Sequence, residues 1–182
     1  MDAFNTALTF TMREEGGFVD NPNDHGKATN HGITQKTYDQ YRTSLALPLQ
    51  TVRWITVKEV DDIYSQMYWS TAHCQDMPLE LAVCHFDWAV NHGPSGAIRT
   101  LQQSLDVDVD GVYGPITHQA MLDAVEETQE DLIDEYLQQR LDWYKEDARK
   151  DPSQREFERS WIGRVFRLEE YLSQLSASPE GK

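Results

Sequence analysis

Residues 78–91 constrain the fold more than any other part of the chain. Leu79, Leu81, Ala82, Val83, Phe86, Trp88, Ala89 and Val90 leave almost no polar stripe on a helical projection. A helix that is apolar on nearly every side belongs in an interior, with other elements wrapped around it. The rest of the sequence supplies helices to do so. Ala3, Phe4, Ala7, Leu8 and Met12 recur at helical spacing behind Asp2, the expected cap, and Gly16-Gly17 is expected to stop that helix. Thr34 predicts the cap of a second helix carrying Tyr38, Tyr41 and Leu45. Thr56 and Glu59 form a capping-box pair ahead of Val60, Ile63, Tyr64 and Met67. Gly93-Pro94 ends the central helix, and Ala97, Ile98, Leu101 and Leu105 mark the inward face of the next. Gly114-Pro115 opens another, because proline suits a first helical turn. A long helix is expected from Thr128 to about Ala148, with the stripe Leu132, Ile133, Tyr136, Leu137, Leu141 and Tyr144. Ser153 and Glu156 predict a second capping box before a last helix holding Phe157, Trp161, Val165, Leu168 and Leu172. Residues 18–34, rich in Asn, Asp, Gly and His, read as a loop or small irregular hairpin. The expected class is therefore mainly α.

Composition narrows the function. An apolar fraction of 39% with 10% aromatic residues supports a packed core and excludes disorder. The formal charge is −15, from 31 acidic and 16 basic side chains. Such an excess repels phosphate backbones and anionic membrane surfaces, so neither nucleic acid nor membrane is an expected partner. No apolar run approaches the ~18 residues that span a bilayer. The first residues carry no basic cluster and no apolar core of a secretory signal, so export by another route is expected if the substrate lies outside the cytoplasm. Cys74 and Cys84 are expected as buried free thiols. They lack metal-ligand spacing with any histidine, and no metal or cofactor is expected.

Chemistry concentrates near the N-terminus. Glu15 ends the first helix, Asp24 follows nine positions later and Thr29 five after that, on a polar loop closing at Gly32-Ile33-Thr34. Glycoside hydrolysis needs one carboxylic acid to protonate the leaving oxygen and a second group to stabilise the cation or steer a water. The acid must keep its proton near neutral pH, which apolar surroundings favour. Glu15, beside Leu8 and Met12 and at the negative end of a helix, is the candidate. Gly16 and Gly17 let a sugar approach the backbone. Asp24 and Thr29 are candidates to hold the water, and Glu14 is expected to be solvated.

Residues 15–34, EGGFVDNPNDHGKATNHGIT, resemble the signature of the glycoside hydrolase family 108 muramidases, which include phage endolysins and bacterial secretion-activator proteins. Glu15, Gly16, Gly17, Phe18, Pro22, Asp24, Gly26, Thr29, Gly32, Ile33 and Thr34 match it, while Asn21 and Lys27 depart from it. FDWAVNHGP at 86–94, RLDWY at 140–144 and SWIGRV at 160–165 resemble further family motifs. The resemblance implies a lysozyme-like helical domain whose hairpin or loop carries the active site. It also implies cleavage of the bond between N-acetylmuramic acid and N-acetylglucosamine, with Glu15 as catalytic acid. The spacing of Glu15, Asp24 and Thr29 is similar to the Glu-Asp-Thr set of phage lysozymes, apart from one residue in the last interval.

Residues 97–117 resemble a peptidoglycan-binding repeat, with Asp110-Gly111 and Gly114-Pro115 as its turns. The expected organisation is a catalytic region, 1–92, and a peptidoglycan-binding-like helical region, 93–182, packed on it as one globular unit. Asp106, Asp108, Asp110 and Gly111 also mimic the start of a calcium loop, but Thr117 replaces its closing Glu. Asp87 and Asn91 lie four apart on one face of the central helix. They either line the glycan groove or tie helices together, and the resemblance favours the groove. Both are candidate substrate-binding residues, with His31. Tyr64, Tyr68 and Trp69 read as core aromatics, with sugar stacking the other role open to them.

The resulting expectation is a monomeric, cofactor-free endolysin. It is made in the host cytoplasm and released through a membrane hole to act on periplasmic peptidoglycan. Two alternatives stay open: a lytic transglycosylase forming an anhydro sugar, and a wall-binding module without catalysis.

Overall fold

Nine consecutive residues of α4 (Leu79–His92), residues 81–89, are buried. The computed structural model describes residues 2–15 and 28–177, and in it this helix is the axle on which α1 (Ala3–Glu14), α5 (Pro94–Ser104), α6 (Pro115–Lys150) and α7 (Arg155–Ser176) pack. Aromatic rings lock α4 from both sides. Phe86 meets Phe4 and Trp69 edge-on at 5.9 and 5.6 Å. Trp88 meets Tyr144 at 5.2 Å and donates its indole N–H to Thr100 at 2.9 Å. Such rings bury large apolar areas while the indole nitrogen keeps a partner.

Local signals decide most helix ends. Thr34 accepts from the Thr37 amide and starts α2 (Gln35–Ser44). Thr56 and Glu59 form the full capping box of α3 (Val57–Ile63). Pro115 occupies the first turn of α6, and Thr128, at φ −159° and ψ 97°, divides that element into two helices where the sequence predicts the second to begin. Two expectations fail. Asp2 sits at the start of α1, but its carboxylate takes the Asn5 side chain instead of a backbone amide. Ser153 caps nothing: its amide and hydroxyl both bond Asp151, which caps a short 3-10 turn ahead of α7.

Strand structure among the described residues is one hairpin. β1 (Thr29–Asn30) pairs antiparallel with β2 (Ile33–Thr34), Thr29 opposite Thr34 and Asn30 opposite Ile33. Its two-residue turn, His31-Gly32, has φ +51° and +74°. Two positive φ values in succession define the primed turn that matches strand twist, and Gly32 adopts its angle without strain. The Asn30 amide anchors the hairpin to the Val52 and Arg53 carbonyls at 3.3 and 3.4 Å. α3 continues into a π-helical stretch, Tyr64–Trp69. Such a stretch shifts side-chain directions relative to an α-helix. Here Tyr64 and Trp69 are buried, 1% and 7% exposed, so both serve the core. Cys74 and Cys84 are buried free thiols.

Candidate active site

Glu15 stands one residue past α1, in extended conformation at φ −82° and ψ 135°. The break turns its side chain into a cleft of about 370 Å³ lined by Glu14, Glu15, Gly32, Val90, Asn91, Ser160, Trp161, Arg164 and Arg167. The hairpin tip closes one side. A Cβ on Gly32 would lie 2.7 Å from Glu15 Oε2 and 2.7 Å from the Tyr64 hydroxyl, so only glycine allows this approach. Burial, with the Glu15 charge adding to it, pushes the Tyr64 phenol far up. The phenol thus keeps its proton and donates it to the His31 carbonyl at 2.7 Å.

Behind the cleft runs a chain of charges across four helices. Arg164 Nη1 donates to Glu15 Oε1 at 2.9 Å. Its Nη2 donates to Asp87 Oδ1 at 2.7 Å, and its Nε to the same carboxylate at 3.2 Å. Arg140 Nη2 donates to Asp87 Oδ2 at 2.8 Å, and Thr11 adds its hydroxyl at 3.3 Å. With its amide oxygen turned toward Arg164, Asn91 sits against the guanidinium, 2.9–3.2 Å from its three nitrogens. Burial pushes the Asp87 carboxyl up, but Arg164 and Arg140 outweigh it and hold the group below the usual carboxylate range. The buried Asp87 carboxylate is thus compensated by two guanidiniums, as a charge removed from water requires.

The structure sorts the sequence candidates. Glu15 and Asn91 line the cleft. Asp87 has no exposed surface and does not line the cleft; both its oxygens serve Arg140, Arg164 and Thr11. Tying helices together is its role. Thr29 is half-buried on β1, in the hairpin that carries Gly32, but is not among the described residues lining the cleft. His31 occupies the turn and contributes its carbonyl to Tyr64. Asp24, Gly16, Gly17 and Lys27 lie outside the described residues. The surroundings of Glu15 are less apolar than expected, since Arg164 bonds it and Glu14, Asn91, Ser160 and Arg167 share the cleft. Glu14 is not freely solvated: its side chain is 12% exposed and bidentate to Arg167 at 2.6 and 2.9 Å.

Arg164 and Arg140 were not foreseen as site residues. The signal was present. Each interrupts the inward stripe of its helix, Arg140 between Tyr136 and Tyr144 and Arg164 between Trp161 and Leu168. A cation on a core face requires a buried anion, and Asp87 is the acidic residue buried within α4.

The turn-rich unit at 97–117 is built around one buried amide. Gln102, 1% exposed, donates to Asp110, Val112 and Thr117 at 2.8–3.1 Å and accepts from the Gly111 amide at 2.8 Å. Asp110 Oδ1 also accepts from the Val112 amide at 2.8 Å. That oxygen is thus engaged in turn-making.

A bundle around a buried helix, with a carboxylate beside a small hairpin, is a lysozyme-like, mainly α fold. The structure of Brucella abortus SagA is similar over 97% of this chain and 97% of that one, with 30% sequence identity and a TM-score of 0.80. Residues 8–93 match the family model described as glycosyl hydrolase 108, and residues 96–166 match "Predicted Peptidoglycan domain". Comparison with curated proteins finds no match. The chain belongs to the glycosyl hydrolase 108 family, and with it to the glycoside hydrolases that degrade peptidoglycan.

Proposed function

We propose that this protein is an N-acetylmuramidase that hydrolyses the β-1,4 bond between N-acetylmuramic acid and N-acetylglucosamine, with Glu15 as general acid. One observation carries the reading: the Glu15 carboxylate enters a polar cleft of about 370 Å³, one oxygen fixed by Arg164 and the other beside the hairpin tip. That volume is on the scale of small-ligand pockets, and the family supplies the substrate class. Glu15 gives its proton to the bridging oxygen as the bond to the muramic acid C1 breaks. The developing oxocarbenium ion then takes the oxygen of a water, whose proton leaves to a base. Asp24 and Thr29 are assigned to that water, and Asn91 and His31 to the sugar.

Glu15→Gln removes the transferable proton while keeping an acceptor for Arg164. The variant is expected to melt like the parent and to release no muropeptides from purified sacculi. Mass spectrometry of the products tests the rest. Reducing muramic acid ends support hydrolysis at this bond, anhydro ends would replace it by transglycosylation, and reducing glucosamine ends would move the cut. Intact sacculi with bound protein would instead favour a non-catalytic wall-binding role. The endolysin role is part of the proposal: expressed in the cytoplasm of a Gram-negative cell, the protein lyses the culture only once the inner membrane is permeabilised.

A further inference from the structure

Helix α7 forms one wall of the cleft through Ser160, Trp161, Arg164 and Arg167. Three of these four lie in the stretch matched as a peptidoglycan domain, and the ion pair between Arg164 and Glu15 spans 149 positions of sequence. We propose that Arg164 is the positioning residue for Glu15, so that the C-terminal half completes the catalytic cleft in addition to any hold on the wall. The inference rests on Glu15 being the acid.

The reasoning follows the rigidity of each partner. Glu15 has left its helix and carries a flexible side chain. Among the described residues, Arg164 is the one that hydrogen-bonds its carboxylate. Arg164 cannot drift. Its side chain is 10% exposed, and Nε and Nη2 both grip Asp87. Asp87 and Arg140 are in turn wholly buried, and Arg140 lies over the Trp88 ring at 4.8 Å. A guanidinium is a planar fork, so fixing the Nε–Nη2 edge also fixes where Nη1 points. The direction of Nη1 sets the position of Glu15 Oε1, and thereby leaves Oε2 on the hairpin side. Lysine has the charge but a single nitrogen, and cannot reproduce both grips.

The test uses the full chain, with soluble peptidoglycan fragments as substrate. Arg164→Lys is expected to melt cooperatively and to keep KM within about twofold, while kcat falls about 100-fold, the effect of misplacing a reacting group by roughly 1 Å. A merely structural role would change the folded fraction and leave kcat per folded molecule unchanged, and that result overturns the proposal. Glu15→Gln is assayed in parallel. If it is active, the acid assignment fails. If it is inactive and folded Arg164→Lys has the parental kcat, only the positioning role fails. Should Arg164→Lys not melt cooperatively, Arg164→Ala is assayed with and without added guanidinium. A rate that rises with guanidinium at constant folded fraction supports the proposal, and a flat rate refutes it.

Discussion

Adding one methyl group at Gly32 tests the geometry of the cleft directly. At φ +74° an alanine is strained by roughly 1–2 kcal/mol. The new Cβ would also stand 2.7 Å from Glu15 Oε2, 2.7 Å from the Tyr64 hydroxyl and 2.9 Å from Glu15 Cγ. Tyr64 cannot retreat, being 1% exposed and bonded to the His31 carbonyl. Glu15 therefore yields, from 2.7 Å to beyond 3.4 Å, where ordinary contact begins, and its ion pair with Arg164 is stretched. The backbone strain is expected to lower Tm by about 2–8 °C, at about 2–4 °C per kcal/mol for a domain of this size. The displaced carboxylate is expected to lower kcat about 100-fold. Gly93→Ala is the control. Its φ is +82°, equally reserved for glycine, but no described residue lies within 4 Å of its Cβ position. It should lose at least as much stability and keep its kcat. The measurements are thermal melts by circular dichroism and initial rates of muropeptide release at a temperature where all variants are folded. Parental kcat in Gly32→Ala would show that the carboxylate beside the hairpin is not the reacting group.

Asp87→Asn leaves Arg140 and Arg164 buried with no anion between them, and urea titration at neutral pH should show a loss of about 3–5 kcal/mol; a loss below about 1 kcal/mol would contradict the network. His85 is wholly buried between Tyr136 and the Ala72 carbonyl, and burial pulls its pKa from 6.5 down to about 3. Its contribution is complete above pH 6.5 and drains as pH falls toward 3, because the unfolded chain takes up a proton that the native chain refuses. At pH 5.5 the native state should be weaker by about 1.4 kcal/mol on this account, and His85→Gln should remove that part of the pH dependence in paired denaturant titrations. Burial also raises both thiols, Cys84 to about 12. A thiol reagent should therefore react slowly with the native protein and with two equivalents in urea, and fast native labelling would place a cysteine at the surface.

Much of the fold was legible because its causes are local. An apolar run without a polar face has one place to go, and residues 81–89 are buried as that pattern requires. Thr34, the Thr56–Glu59 pair, Pro115 and the break at Thr128 act within a turn of where they stand. Ser153 shows the limit of such signals, since a neighbouring carboxylate at Asp151 competes for the same amide. The cleft was half legible. Glu15 was visible through its glycines and the loop after it, but its partner was not, because nothing in a linear pattern says which distant stripe will face it.

Asp87 and Asn91 make the division plain. Four apart on one helix, they share a face and a polar character, and the order of residues cannot separate them. Packing does: one is enclosed by two arginines, and the other lies at the mouth where α4 runs out. Periodicity, caps and glycines act through backbone geometry over a few residues, so most of them can be read from the sequence. Which charges become neighbours depends on how helices far apart in the chain cross. Among buried ions, where water no longer screens, that crossing sets the charge environment of Glu15.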